Sequence, residues 1–297
     1  MYVSSGWYLE LQGKSILYDQ ASICSGGVFR ELSKLQHMLP LLPQQKKRWI
    51  VAHRGVSDRC PESTRAAFDL AVAQQADAIE CDVQLTADNQ VVVCHDTTLE
   101  RYGHPDVKIE TSTLADLQQL DVGSWFHEDF AQQRLLSLEE LLKEYGATVP
   151  LCIELKTEDV TVRQRDLLVR RLTAAVDVRH LQDQVAFLAF DAATLQCLRD
   201  VAPWARLVLN THAPHLFDER AAEAQPWLNG VDGNINNLSN DVVQLVHQRQ
   251  LTSLTFTCNS EEDVLKAWNL SVDVIITNDP ARTRDILQQH RHDNHAA

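Results

Sequence analysis

Trp49-Ile50-Val51-Ala52-His53-Arg54-Gly55, Asp77-Ala78-Ile79-Glu80-Cys81-Asp82-Val83 and Val91-Val92-Val93-Cys94-His95-Asp96 are apolar runs that carry charged or titratable side chains at or near their ends. In a strand, residues i and i+2 point to the same side, so Glu80 and Asp82 converge while Ile79, Cys81 and Val83 face the other way. Downstream, Val149-Pro150-Leu151-Cys152-Ile153-Glu154-Leu155-Lys156 repeats the device with Glu154 and Lys156. Core packing does not require polar groups crowded at the ends of apolar strands. A catalytic mouth does.

Outward from this stretch, strand-like runs alternate with helical spacings. Strands are predicted over 184–190, 205–210, 230–235, 251–257 and 272–277, with helices over 162–176, 192–201, 242–250 and 260–270. With the three early runs and the Glu154 run, these make nine candidates, one more than a closed (β/α)8 barrel needs. Only Ala87-Asp88-Asn89-Gln90 leads into the run that ends in His95, whereas a parallel crossover takes a dozen residues or more. That segment is therefore expected to fold back as a hairpin arm, bringing His95 roughly opposite Glu80 and Cys81. The alternation implies a parallel sheet, and the length implies an α/β (β/α)8 TIM barrel. Pro61-Glu62-Ser63-Thr64 is read as the opening of a helix with Phe68, Ala71 and Val72 on one face. Ser137 and Glu140 have the spacing of a capping box. Residues 97–148 form an inserted region after the third strand, with a helical pattern from Leu114 to Leu120 and the aromatics Trp125, Phe126 and Phe130.

Residues 1–48 differ from the rest. Trp7 to Leu11 and Ser15 to Tyr18 flank Gln12-Gly13-Lys14 as a small hairpin, and Val28 to Leu39 has helix-like spacing before Pro40 and Pro43. The expected division is an extension over 1–48 that packs on the barrel, and a barrel domain over 49–297. A homodimer contact is the alternative role for the extension.

The chain carries 41 acidic against 27 basic residues, a net charge of −14, which disfavours nucleic acid and anionic membranes as partners. An anionic substrate then needs locally placed cations. There are seven cysteines and no CxxC, so neither a disulfide framework nor a zinc site is suggested. Met1 to Lys14 lacks a basic-then-apolar signal pattern, and no apolar stretch is long enough for stable membrane insertion. The expectation is a cytoplasmic protein.

In (β/α)8 barrels the C-terminal strand ends meet in one pocket. Here that pocket gathers three carboxylates (Glu80, Asp82, Glu154), two imidazoles (His53, His95) and two cations (Arg54, Lys156). Carboxylates at close range repel, and a divalent metal neutralises them best. An all-oxygen set without cysteine suits a hard ion, Mg2+ or Ca2+. Arg54 and Lys156 add positive charge for an anionic group, and two histidines provide one base and one acid near neutral pH. Together these describe phosphate-ester chemistry.

The ordered series His53-Arg54-Gly55, Pro61-Glu62-Ser63-Thr64, Glu80-x-Asp82-Val83, Thr86-x-Asp88, His95-Asp96 and Glu154-Leu155-Lys156 resembles the glycerophosphodiester phosphodiesterases. The likeness continues through Asp121-Val122-Gly123-Ser124-Trp125-Phe126, Phe190-Asp191 and Thr277-Asn278-Asp279-Pro280, so it spans roughly residues 49 to 285. The resemblance implies a phospholipase-C-like phosphodiesterase barrel. It implies Glu80, Asp82 and Glu154 as metal ligands, His53 and His95 as acid and base, and Arg54 and Lys156 on the phosphate. By the same resemblance Glu62 supports His53 or Arg54, and Trp125, Phe126 and Phe256 wall the substrate. The sequence departs from the family at Ser63, where asparagine is usual, and at Phe256, where tryptophan is usual. The implied reaction is hydrolysis of a small glycerophosphodiester to sn-glycerol 3-phosphate and an alcohol. Two alternatives stand beside it. One is a lysophospholipase D-like or cyclic-phosphate-forming lipid phosphodiesterase, and the other is a non-catalytic phosphodiester-binding barrel. His104, His127, His180, His212, His215 and His247 belong to no motif and are read as structural.

Overall fold

The computed structural model of the chain describes residues 7–11, 14–18, 48–218, 221 and 225–296. The chain divides into two compact units, Met1–Pro43 and Gln44–Ala297. In the first, β1 (Trp7–Leu11) and β2 (Lys14–Tyr18) pair antiparallel, as the hairpin reading expects. The helix expected over Val28 to Leu39 lies outside the described residues.

The second unit is a closed barrel. Its strands are β3 (Trp49–His53), β4 (Ala78–Leu85), β8 (Leu151–Leu155), β9 (Val185–Ala189), β10 (Arg206–Thr211), β11 (Gly230–Asn234), β12 (Thr252–Phe256) and β13 (Val274–Thr277). They run parallel in that order, and β13 pairs back with β3 to close the ring. The central strands are buried on both faces, as the near-continuous apolar runs require. β5 (Val91–Val93) pairs antiparallel with β4, Val83 opposite Val93, and is the hairpin arm expected from its short link. The Cys94 N–H donates to the Asp82 carbonyl, so the arm carries His95 back over the strand that bears Glu80 and Asp82.

Among the described residues, helices cover the outside of the sheet, and one short helix lies in the region after the arm. They are α1 (Arg65–Ala73), α2 (Leu114–Leu117), α3 (Leu138–Glu144), α4 (Val162–Asp177), α5 (Ala192–Val201), α6 (Asn240–Gln248), α7 (Glu261–Asn269) and α8 (Pro280–Ala296). The capping box at Ser137 and Glu140 is formed, and Thr161 with Gln164 and Ser260 with Asp263 repeat it. Asp279 accepts from the Arg282 N–H at the start of α8.

One boundary differs from expectation. The helix read from Pro61 starts at Arg65, with Thr64 as its cap. Ser63 has φ +57°, a left-handed conformation that cannot belong to a helical turn, so Pro61 to Ser63 stay in the loop beside the barrel mouth.

Residues 97–137 add a two-stranded ribbon, β6 (Thr98–Leu99) with β7 (His104–Lys108), that no sequence period announces. This region has a small core of its own: Val92, Cys94, Leu99, Tyr102, Ile109, Leu117, Val122 and Leu135. Two of these, Val92 and Cys94, come from the arm. Gly123 is needed there because a Cβ would meet the Phe130 carbonyl oxygen at 1.9 Å. Among the described residues, no helix is long and apolar enough to cross a membrane.

Candidate active site

The polar residues converge at the C-terminal ends of the strands around a cavity of about 280 Å3. Its lining includes His53, Arg54, Glu80, His95, Glu154 and Lys156. Glu80, Asp82 and Glu154 are all buried and offer oxygen atoms that lie within 4.8 Å of one another. The register explains this: Asp82 on β4 is the neighbour of Glu154 on β8, and Glu80 lies two residues back on the same face.

Burial first, and then Asp82 and Glu154, push the Glu80 carboxyl well above its usual pKa. Burial and Asp82 push Glu154 up to about 7. Asp82 Oδ2 is buried without a hydrogen-bond partner. Repelling carboxylates whose buried Asp82 Oδ2 has only an ion-pair contact, with Arg54, fit a divalent cation, and the donor set is oxygen only.

Cations flank the cluster. Arg54 has φ +54° and Gly55 φ +82°. This left-handed turn lets the Arg54 N–H donate to the Glu80 carbonyl at 2.9 Å and meet Glu80 Oε2 at 3.2 Å. A Cβ on Gly55 would approach the Ala67 backbone to 2.6 Å, so the turn needs glycine there. The Arg54 guanidinium reaches Glu62 Oε1 at 3.1 Å and Asp82 Oδ2 at 3.2 Å. Burial lowers its pKa, but Asp82, Glu62 and Glu80 outweigh that and hold it above the usual value. Lys156 Nζ donates to Glu154 Oε1 at 2.7 Å and lies 4.0 Å from Asp82. Burial is the largest single influence on Lys156 and lowers its pKa, yet the carboxylates around it bring a net rise.

The two imidazoles are held differently. His53 Nδ1 lies 2.7 Å from Asn278 Oδ1. An amide oxygen only accepts, so Nδ1 carries the proton and Nε2, 3.9 Å from Glu80, keeps its lone pair. Burial, with Arg54 adding, lowers the His53 pKa to about 4. His95 Nδ1 lies 2.6 Å from the Asp96 carboxylate, which Arg101 holds from the other side at 2.9 Å. Arg101 and the Tyr102 hydroxyl also reach Glu62, so one polar chain runs from His95 to Arg54. Gln84 Nε2 lies 2.9–3.0 Å from the carbonyls of Cys94, His95 and Asp96 and fixes the turn that presents His95.

Phe256 lines the cavity, and with it Phe190 and His212, whose rings stack at 4.5 Å. Trp125 and Phe126 are not among the lining residues; Trp125 packs on Tyr102 and on Phe126. Sequence reasoning missed Gln84, Asn210, Asp232 and His212, assigned no role to Asn278 or Phe190, and did not single out Arg101. Gln84 had a signal, since it continues the i, i+2 face of Glu80 and Asp82. His212 had none.

The Glycerophosphoryl diester phosphodiesterase family model matches residues 53–282. The YhdW protein of Bacillus subtilis strain 168 is 31% identical over 254 residues, covering 83% of this chain and 99% of the relative. A glycerophosphodiester phosphodiesterase of Caldanaerobacter subterraneus subsp. tengcongensis is 30% identical, covering 82% of this chain and 99% of the relative. Among solved structures, an Oleispira antarctica phosphodiesterase in complex with the product sn-glycerol-3-phosphate superposes with a TM-score of 0.73 at 25% identity, covering 81% of this chain and 96% of that one.

Proposed function

Because the chain belongs to the glycerophosphoryl diester phosphodiesterase family and is a phosphoric diester hydrolase, we propose that it cleaves small glycerophosphodiesters to sn-glycerol 3-phosphate and an alcohol by metal-assisted acid–base chemistry. The observation that carries this reading is the buried trio Glu80, Asp82 and Glu154 at a cavity that two imidazoles also line, each anchored through Nδ1.

The trio would hold one Mg2+ or Ca2+ ion, which supplies polarisation of the phosphoryl oxygens and neutralises their charge. Arg54 and Lys156 lie against that trio, where they orient the phosphate and stabilise the charge that gathers on it. His53, neutral and with its Nε2 lone pair free, accepts the proton of the attacking hydroxyl. That role is the same whether the hydroxyl belongs to water or to the glyceryl group. His95, whose Nδ1 is held by the Asp96 carboxylate, delivers a proton to the leaving alkoxide. Glu62 positions Arg54 and, through Arg101, the His95–Asp96 pair.

EDTA should abolish turnover of glycerophosphocholine, and Mg2+ or Ca2+ should restore it. His53→Ala and His95→Ala should each lower kcat by about 10^2–10^4 with unchanged circular dichroism. Activity that persists in EDTA, or near-normal rates in both variants, would refute the assignment. Product mass spectrometry on glycerophosphocholine and a lysophospholipid distinguishes this reaction from a lipid-directed one.

A further inference from the structure

Two polar side chains on the wall across from His53 have no part in the reaction just described. β10 and β3 stand on opposite sides of the eight-strand ring, and Asn210 lies on β10 with Asp232 beside it on β11. The two are register partners on parallel neighbours, so their backbones are about 4.8 Å apart. Both line the catalytic cavity, and their exposures are only 3% and 1%. Asn210 Nδ2 donates to Glu154 Oε2 at 2.8 Å, which turns the amide so that Oδ1 is left as an acceptor. That Oδ1 and Asp232 Oδ1 have no hydrogen-bond partner. Unpaired buried oxygens are costly, and two side by side call for donors from inside the cavity.

The side-chain cations of the site do not answer them. Lys156 is engaged by Glu154, and Arg54 by Glu62 and Asp82. A phosphodiester carries no donor on its phosphorus oxygens. Its glyceryl end carries two, on adjacent carbons. Phe190 and Phe256 offer no hydrogen-bonding groups and, with the His212 ring stacked on Phe190, form the side of the lining that suits the alcohol that varies.

We propose that, with water as the attacking hydroxyl, Asn210 and Asp232 together accept hydrogen bonds from the free vicinal hydroxyls of the glyceryl group, and so make the diol the feature this enzyme selects. This rests on the reading of the site as a glycerophosphodiester hydrolase. Neither residue exchanges a proton with the reacting atoms. They are specificity residues, and their effect falls on discrimination.

The test compares two inhibitors of the full-length, metal-loaded protein, sn-glycerol 3-phosphate and n-propyl phosphate, which differ only in the two hydroxyls. In the unaltered protein sn-glycerol 3-phosphate should bind at least about tenfold more tightly, the scale of one to two buried hydrogen bonds. Asp232→Leu should bring that ratio below about threefold while leaving n-propyl phosphate binding unchanged, and Asn210→Leu should lower it likewise. Asp232→Asn, which keeps an acceptor, should retain most of the preference. A ratio near one in the unaltered protein overturns the proposal. So does an equal loss of both ligands in the variants, which would mean that the pair acts only through Glu154. Calorimetric binding of the two phosphates needs no turnover. If glycerophosphocholine is not hydrolysed but the ratio holds, the hydrolase reading fails and the diol site stands; the reverse result does the opposite.

Discussion

Glu80 is buried against two like charges, and that makes it a source of instability whenever no cation is bound. Burial, Asp82 and Glu154 raise its folded pKa well above the usual carboxylate value. A raised carboxyl binds more protons in the folded state than in the unfolded one, so its contribution worsens as pH rises above about 4.3, the unfolded value. Glu80→Gln removes the ionisable group and keeps an oxygen to accept from the Arg54 N–H. In EDTA this variant should melt higher than the unaltered protein, by about 2–4 °C at pH 8 and by less at pH 5. It should also lose most of the stabilisation that Mg2+ or Ca2+ gives. Differential scanning calorimetry with and without EDTA decides it, and a lower midpoint in EDTA at pH 8 would contradict it. At this scale the sequence was legible where chemistry came in pairs: Glu80 with Asp82, Glu154 with Lys156. Asn210 was not legible, because one amide inside an apolar strand looks the same whether it ends the strand or touches a ligand. Asp232 was hidden for the same reason, as one carboxylate inside the strand predicted over 230–235.

Among the elements, the antiparallel arm could be foreseen because chain length forbids a parallel crossover after four residues. The start of α1 could not, since proline, serine and threonine serve a helix N-terminus and a turn before it alike. Another contact invisible to periodicity joins α6 to two strands. His247 on α6 meets Ser253 Oγ on β12 and Asp273 Oδ2 just before β13, each at 3.0 Å. Asp273 also accepts the Ser253 N–H. The bond to Asp273 raises the His247 pKa. Burial alone would raise Asp273, but the bonds from His247 and Ser253 outweigh it and lower its pKa. The histidine contribution is full below about 6.5 and is lost as pH rises through the folded value; the aspartate contribution is present above about 3.9 and is lost as pH falls. The contact therefore helps most near pH 5–6. His247→Ala should cost more stability at pH 5.5 than at pH 9, by less than about 1 kcal/mol because both side chains are more than a third exposed. Urea midpoints at the two pH values measure it, and an equal cost at both would contradict the ion pair.

For the molecule as a whole, alternation of strand and helix together with length carried the barrel, and the excess candidate strand resolved into the arm. What alternation did not carry was the organisation of residues 97–137, whose core is built from scattered single residues with no period to read. That core has a thermal consequence. His53, Glu80, Asp82 and Glu154 are fixed by the barrel, while His95 sits on an arm held on one face by Val91 and Val93 in the barrel core and on the other by Val92 and Cys94 in the eight-residue cluster around Leu99 and Leu117. Far smaller than the barrel core, this cluster should give way at a lower temperature. On slow heating, turnover should disappear several degrees before the ellipticity of the barrel, and should return on cooling from that interval; coincident transitions would contradict it. The small cluster acts as a fuse, disconnecting one half of the proton-transfer pair while the frame around the other half is still intact.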